Sequence, residues 1–178
     1  MIKNISNLGD AALYCDFGKE VNKDINSKVI KLFETIRKKN IEIPVCCDTS
    51  FSLDIERLEK KLSLNKEKIY DNFFNREFYC YMTGFIAGMP FLGDLDENMR
   101  AERLETPRVK VPKGSIGITE QFANIYTSES PGGWNIIGNT PLQVFDSSKE
   151  NKPNLINHGD IVIFKQISLD NYKSYDEQ

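Results

Sequence analysis

The chain has 178 residues, a formal net charge of −3 and 28% charged residues, which suits one compact domain or a medium one with a small one. At this length a chain buries roughly 70% of its unfolded surface, enough for a core of its own. The weakly acidic balance leaves no electrostatic footprint for nucleic acid, no segment approaches the ~20 apolar residues of a membrane span, and no signal peptide opens the chain, so a cytoplasmic protein is expected.

Residues 11–17 read as a strand ahead of Gly18. Asn22 is placed to cap a helix whose apolar positions Ile25, Val29, Leu32, Phe33 and Ile36 form one stripe. Arg37, Lys38 and Lys39 then suit the negative end of that helix. Ile41 to Cys47 reads as a strand stopped by Asp48-Thr49-Ser50. From 52 to 76 the pattern is helical: Ile55, Leu58 and Leu62 share a face, and Asn65 caps a second helix carrying Ile69 and Phe73. Glu56, Lys60 and Lys61 mark the solvated side. Two strands and one helix cannot cover both faces of a sheet, so this first region must dock on the second or on a partner.

Phe78, Cys80 and Met82 alternate against Tyr79, Tyr81 and Thr83, which opens a strand-rich region running to about Phe164. Between Gly84 and Asp146, glycine and proline punctuate apolar runs of about four to six residues. Such punctuation predicts short strands and tight turns around a closed or nearly closed sheet. Pro131-Gly132-Gly133-Trp134 is the sharpest element: two glycines permit close backbone approach, and the single Trp follows at once. The last residues, ending NYKSYDEQ, are polar and expected to fray.

Several constellations carry chemistry on their face. Cys15, Cys46, Cys47 and Cys80 lie in apolar runs without C-x-x-C spacing and remote from the single His158, so they read as buried thiols and no metal site is expected. Asp94, Asp96, Asn98 and Glu105 fall at calcium-loop positions, but Met99 stands where the sharp turn needs Gly, and a solvated acidic loop is the better reading. Lys113-Gly114-Ser115 lacks the full glycine-rich run of a phosphate loop and reads as a strand-entry turn. Arg103 and Arg108 flank LETP, and either guanidinium can take a carboxylate or phosphate bidentately, or simply join a surface ion pair.

Taken in order, GFIAGMPFLGDL, TPRVKVPKGSIGI and SPGGWNIIGNTPLQVFD resemble the B-type family of 5-oxoprolinase subunits, also called allophanate hydrolase subunit 1. That family is related to subdomains C and D of urea-type carboxyltransferases. The matching residues include Gly84, Phe85, Gly88 and Leu92, then Thr106-Pro107-Arg108, Val111-Pro112 and Gly114-Ser115, and later Ser130 through Trp134, Ile137-Gly138, Thr140-Pro141 and Phe145-Asp146. Gly159-Asp160 with Phe164 resembles the family's closing strand, and LGDAALYCDFG its opening one.

The resemblance implies an α+β fold: a cyclophilin-like β-barrel domain over 77–170, preceded by a small, truncated ferredoxin-like α/β region over 1–76 and followed by a frayed tail over 171–178. It implies the B-type member of a complex that, with A-type and C-type subunits, opens 5-oxo-L-proline to L-glutamate using ATP. An A-type subunit with a C-type carboxyltransferase partner thus makes up the expected assembly, together with a small-molecule substrate and no biotin site on this chain. By the same resemblance Arg108 is the first candidate for a catalytic role. Gly88, Pro112, Gly114, Ser115, Gln121, Tyr126, Pro131, Gly132, Gly133 and Trp134 are candidates for substrate binding, with a core tyrosine the plainer reading of Tyr126.

The chain also departs from the family. Phe73 stands at the family's His, Met89 and Pro90 interrupt its PGF-x-Y element, Asn139 replaces the Arg of IGRTP, and Glu120 replaces the Gly before Gln121. A missing His removes the one group of that region that titrates near neutrality, and a missing Arg removes a permanent cation. Three further readings follow: a regulatory module resembling inhibitors of a sporulation sensor histidine kinase, a catalytically impaired paralogue, and a urea-type carboxyltransferase or allophanate hydrolase subunit.

Overall fold

The computed structural model describes residues 4–7, 13–16 and 39–175. Near the start, β1 (Asn4–Asn7) and β2 (Leu13–Asp16) pair antiparallel, which places the predicted opening strand; the helix predicted from Asn22, with its stripe from Ile25 to Ile36, lies outside the described residues. The main body is built from β3 (Asn40–Cys46), β4 (Glu77–Thr83), β5 (Pro90–Gly93), β7 (Ser115–Thr119), β8 (Phe122–Ile125), β10 (Asn135–Asn139) and β11 (Ile161–Ile167). These seven strands close into a mixed barrel in the order β10-β3-β11-β4-β5-β8-β7. A separate two-stranded ribbon joins β6 (Arg108–Val111) to β9 (Ser130–Gly132).

The predicted strand Ile41–Cys47 is β3, and it is a stave of this barrel although it precedes residue 77. It pairs in parallel with β11 from Asn40 opposite Ile161 to Cys46 opposite Ile167. That long ladder gives its backbone the partners a two-strand region could not supply. On its other side β3 meets β10 only at Cys46 opposite Asn139, so Pro44, which has no N–H to give, sits in a strand with one sparsely bonded edge.

Two helices close over the barrel. Helix α1 (Ile55–Leu62) buries Ile55 and Leu58 with Leu62 half-buried, as its period predicts. Helix α2 (Lys66–Phe74) is capped by Asn65, whose side chain accepts from Lys68 N at 2.9 Å. Its Phe73 stacks on Phe164 of β11 at 4.9 Å and lies 5.0 Å from Phe78 of β4, which ties the helix to the barrel core.

Over its described part, residues 171–175, the tail expected to fray over 171–178 is ordered; residues 176–178 lie outside the described residues. Residues Leu169–Ser174 form α3, capped by Ser168, whose Oγ accepts from Asn171 N. Tyr172 packs on Phe51 at 4.6 Å and donates its hydroxyl to Asn139 Oδ1 at 2.8 Å, and these two contacts outweigh the polar composition. Among the described residues no helix is long and apolar enough to cross a membrane.

Candidate functional site

The ribbon stands against one side of the barrel and leaves a cleft of about 320 Å³ between them. Arg108 of β6 lies opposite Gly132 of β9, and Val111 opposite Ser130. Val111, Met89, Tyr126 and Ile136 form a small apolar cluster of their own, with Ile86 and Phe91 packed on it. The cleft wall takes Phe85, Met89 and Phe91 from the barrel side, Pro131, Gly132 and Trp134 from the β9–β10 segment, and Arg103 with Pro107 from the loop before β6. Tyr126, directly after β8, completes it, and Phe91 meets Trp134 edge to face at 5.7 Å.

The double glycine divides into two roles. A Cβ on Gly132 would fall 2.8 Å from both Cε1 and Cζ of Tyr126, closer than side chains approach, so only glycine lets the ribbon close on this ring. A Cβ on Gly133 would meet Pro107 and Arg103 at 3.5 and 3.6 Å, an ordinary contact. The carbonyl of Gly133 instead anchors the Arg103 loop, accepting from Leu104 N at 2.7 Å.

Tyr126 is buried, and burial pushes its phenol above the usual value. Hydrogen bonds from the Asn124 side chain and the Trp134 backbone act the other way, as do the charges of Arg103 and Arg108. At neutral pH the group is therefore a protonated donor set between two cations. Arg103 is exposed on the cleft wall, and among the described residues no carboxylate pairs with it. Arg108 is held differently. Its Nη2 donates to Asp54 Oδ1 at 2.6 Å, while Asp54 Oδ2 accepts from Ile136 N at 2.6 Å. A nearly buried carboxylate thus fixes this guanidinium to β10, off the cleft wall.

The sequence-derived candidates scatter accordingly. Tyr126, Pro131, Gly132 and Trp134 meet in the cleft, with Gly133 behind the wall. Gly88 adopts φ +71° in the β4–β5 turn, where a Cβ would fall 2.5 Å from Phe145 Cδ2. Pro112, Gly114 and Ser115 build the β6–β7 turn: Gly114 N donates to Tyr126 O, and Ser115 N to Pro112 O. Gln121 is exposed in the β7–β8 turn, and its carbonyl accepts from Leu95 N. The reading of sequence placed Arg108 ahead of Arg103; the cleft wall holds Arg103. Phe85, Met89 and Phe91 escaped it as site residues, although the resemblance covered their segment.

The departures have physical roles. Phe73 is a core residue. Asn139 bridges the β6–β7 turn to α3, giving Nδ2 to Lys113 O and taking the Tyr172 hydroxyl. Glu120 takes φ +44°, which explains a glycine preference there. His158 Nδ1 lies 2.6 Å from Tyr81 O and stands outside the cleft wall. The acidic run is dispersed, Asp94 accepting from Tyr81 and Asp96 pairing with Arg76.

Comparison with known proteins bears on this site. The family described as carboxyltransferase domain, subdomain C and D, matches residues 34–156. The chain is 37% identical to the 5-oxoprolinase B subunit of Bacillus subtilis (strain 168) over 162 residues, covering 90% of this chain and 67% of that one. It is 39% identical to the 5-oxoprolinase B subunit of Haemophilus influenzae, covering 71% of this chain and 59% of the relative. The chain thus spans only about three fifths to two thirds of the length of these relatives. Among solved structures, a conserved uncharacterized protein of Pyrococcus horikoshii superposes with a TM-score of 0.72 at 29% identity, over 95% of this chain and all of that one.

Proposed function

The chain belongs to the family of carboxyltransferase domains, subdomains C and D, and on that premise we propose that it is the B-type member of an ATP-dependent 5-oxoprolinase complex, with its substrate in the Tyr126 cleft. The observation that carries the reading is a neutral phenol at the floor of an aromatic cleft, near one guanidinium anchored on Asp54 and one, Arg103, that no carboxylate among the described residues pairs. The substrate class is a five-membered lactam bearing a carboxylate. Arg103 takes the carboxylate, and the flat ring lies against Phe91 and Trp134. Tyr126 donates to the lactam oxygen, which gains negative charge as water adds to the ring carbon. The C–N bond then breaks, and the nitrogen leaves as an amine after taking a proton.

The described residues of this chain do not fit a nucleotide's phosphates. Gly114 N and Ser115 N, amides of the Lys113-Gly114-Ser115 turn, are already bonded, to Tyr126 O and Pro112 O. ATP is therefore assigned elsewhere in the complex, and no step on this chain runs through it. Among the described residues the cleft wall has no His, Asp or Glu, and we assign the base that activates water to the C-type carboxyltransferase partner, in a cytoplasmic complex that the A-type subunit makes whole. A regulatory module docking on a sensor kinase is the second reading, favoured by Phe73, spent on core packing, and Asn139, spent on structural hydrogen bonds.

The test is 5-oxoproline-dependent ATP hydrolysis by a complex reconstituted with A-type and C-type subunits, with and without this chain. Turnover that requires the chain supports the proposal. Assembly without turnover moves the regulatory reading to the front, and failure to assemble overturns the proposed membership of the complex.

A further inference from the structure

Two enclosed polar atoms close to Tyr126 have no hydrogen-bond partner: Asn124 Oδ1 and Arg108 Nη1. Buried polar groups are rarely left unpaired; Arg108 is anchored off the cleft wall, so it is the orphan acceptor of Asn124, beside the Tyr126 phenol, that points to a ligand supplying its complement. Asn124 is 0% exposed. Its Nδ2 is turned to the Tyr126 phenol oxygen, to which the side chain hydrogen-bonds, and to the thioether of Met89 at 3.9 Å. Its Oδ1 stands over Gly117, at a point where a Cβ would come 2.5 Å from that oxygen, 3.0 Å from Trp134 Cβ and 3.2 Å from Tyr126 Cε2. Met89, Tyr126 and Trp134 all line the cleft, so the amide lies directly beneath its floor. Met89, unbranched with three rotatable bonds, packs between that amide and the cleft.

We propose that Asn124 is a specificity-determining residue whose amide oxygen accepts the ring N–H of a lactam while Tyr126 donates to the same lactam's carbonyl. Asn124 and Tyr126 are two apart on one extended segment and so face the same side. A ring amide is locked cis, which puts its N–H and C=O along one edge, the pattern such a pair of neighbours reads. A lactone of the same shape presents a ring oxygen to Asn124 Oδ1 and leaves that acceptor unpaired, which a site built for N–H rejects. The inference rests on the cleft reading above and deepens it by naming the residue that selects the ring amide over the ring ester.

Trp134 is the single Trp and lines the cleft, so its fluorescence reports occupancy. The chain and its complex are titrated with 5-oxo-L-proline and with the lactone that carries ring oxygen in place of N–H. The lactam is expected to bind about tenfold more tightly, the worth of one buried hydrogen bond. Asn124→Ala is expected to bring the two to parity by weakening the lactam alone. Equal affinities in the unmodified chain, a comparison that needs no variant to fold, overturn the role of Asn124 and leave the cleft reading standing. Preference for the lactam that survives in Asn124→Ala overturns it as well. If neither compound changes the Trp134 signal, in the chain or the complex, the cleft reading falls and the role of Asn124 with it.

Discussion

Replacing Asp54 by alanine is expected to destabilise the protein by about 3 kcal/mol. The carboxylate is 5% exposed and serves two elements at once, taking Arg108 at 2.6 Å and the Ile136 amide at 2.6 Å. Alanine leaves the Ile136 N–H buried without a partner, which costs about 2 kcal/mol. It also strips Arg108 of its counter-ion; that side chain is 27% exposed and can take up water, so this part is discounted to about 1 kcal/mol. Asp54→Asn keeps an acceptor for Ile136 and should cost only about 1 kcal/mol. Urea unfolding followed by far-ultraviolet circular dichroism separates the two. With a slope of about 2 kcal/mol/M, the alanine variant should lose about 1.5 M at the midpoint and the asparagine variant about 0.5 M. Equal midpoints for the two variants, or a loss under about 0.5 M for alanine, would refute the view that Asp54 links ribbon to barrel.

Other substitutions follow from the same geometry. Gly132→Ala drives a methyl into the Tyr126 ring and should cost about 1–3 kcal/mol by overpacking, with a shifted Trp134 emission as the ribbon moves. Glu120→Gly relieves a left-handed backbone and should be neutral or stabilising by up to about 1 kcal/mol in the same urea assay. Burial pushes the Cys47 and Cys80 thiols up from 9.0 to about 12. Between those values the unfolded chain has lost protons that the folded chain retains, so this contribution to stability is complete below pH 9 and is lost as pH rises toward 12. The urea midpoint should therefore drop between about pH 8 and about pH 10.5, and Cys80→Ala should reduce the drop; a flat profile would contradict the assignment of buried thiols.

What the sequence makes legible here is local. The stripe of Ile55, Leu58 and Leu62, the Asn65 cap and the alternation of Phe78 and Cys80 follow from residue spacing, and the structure places each as the spacing implies. The glycine at 132 was readable as a close approach, though not what it approaches. Long-range facts were not readable. Arg108 meets a carboxylate 54 residues away, which moves it off the cleft wall and leaves that place to Arg103. The barrel's parallel ladder joins residues 40–46 to 161–167, and nothing in either segment names the other. Helix α3 is polar along its length, and its place depends on Phe51 and Asn139. A Ser168 three residues before Asn171 was the available signal for its start.

The central claim is that chemistry on this chain takes place at Tyr126 in the cleft. The most direct measurement is kcat for 5-oxoproline-dependent ATP hydrolysis by the reconstituted complex carrying Tyr126→Phe, a variant that removes one oxygen and leaves the packing. A fall in kcat of about 100-fold or more, with assembly and unfolding midpoint retained, is the predicted result. Full turnover by Tyr126→Phe would contradict the claim and place the reacting centre outside this cleft.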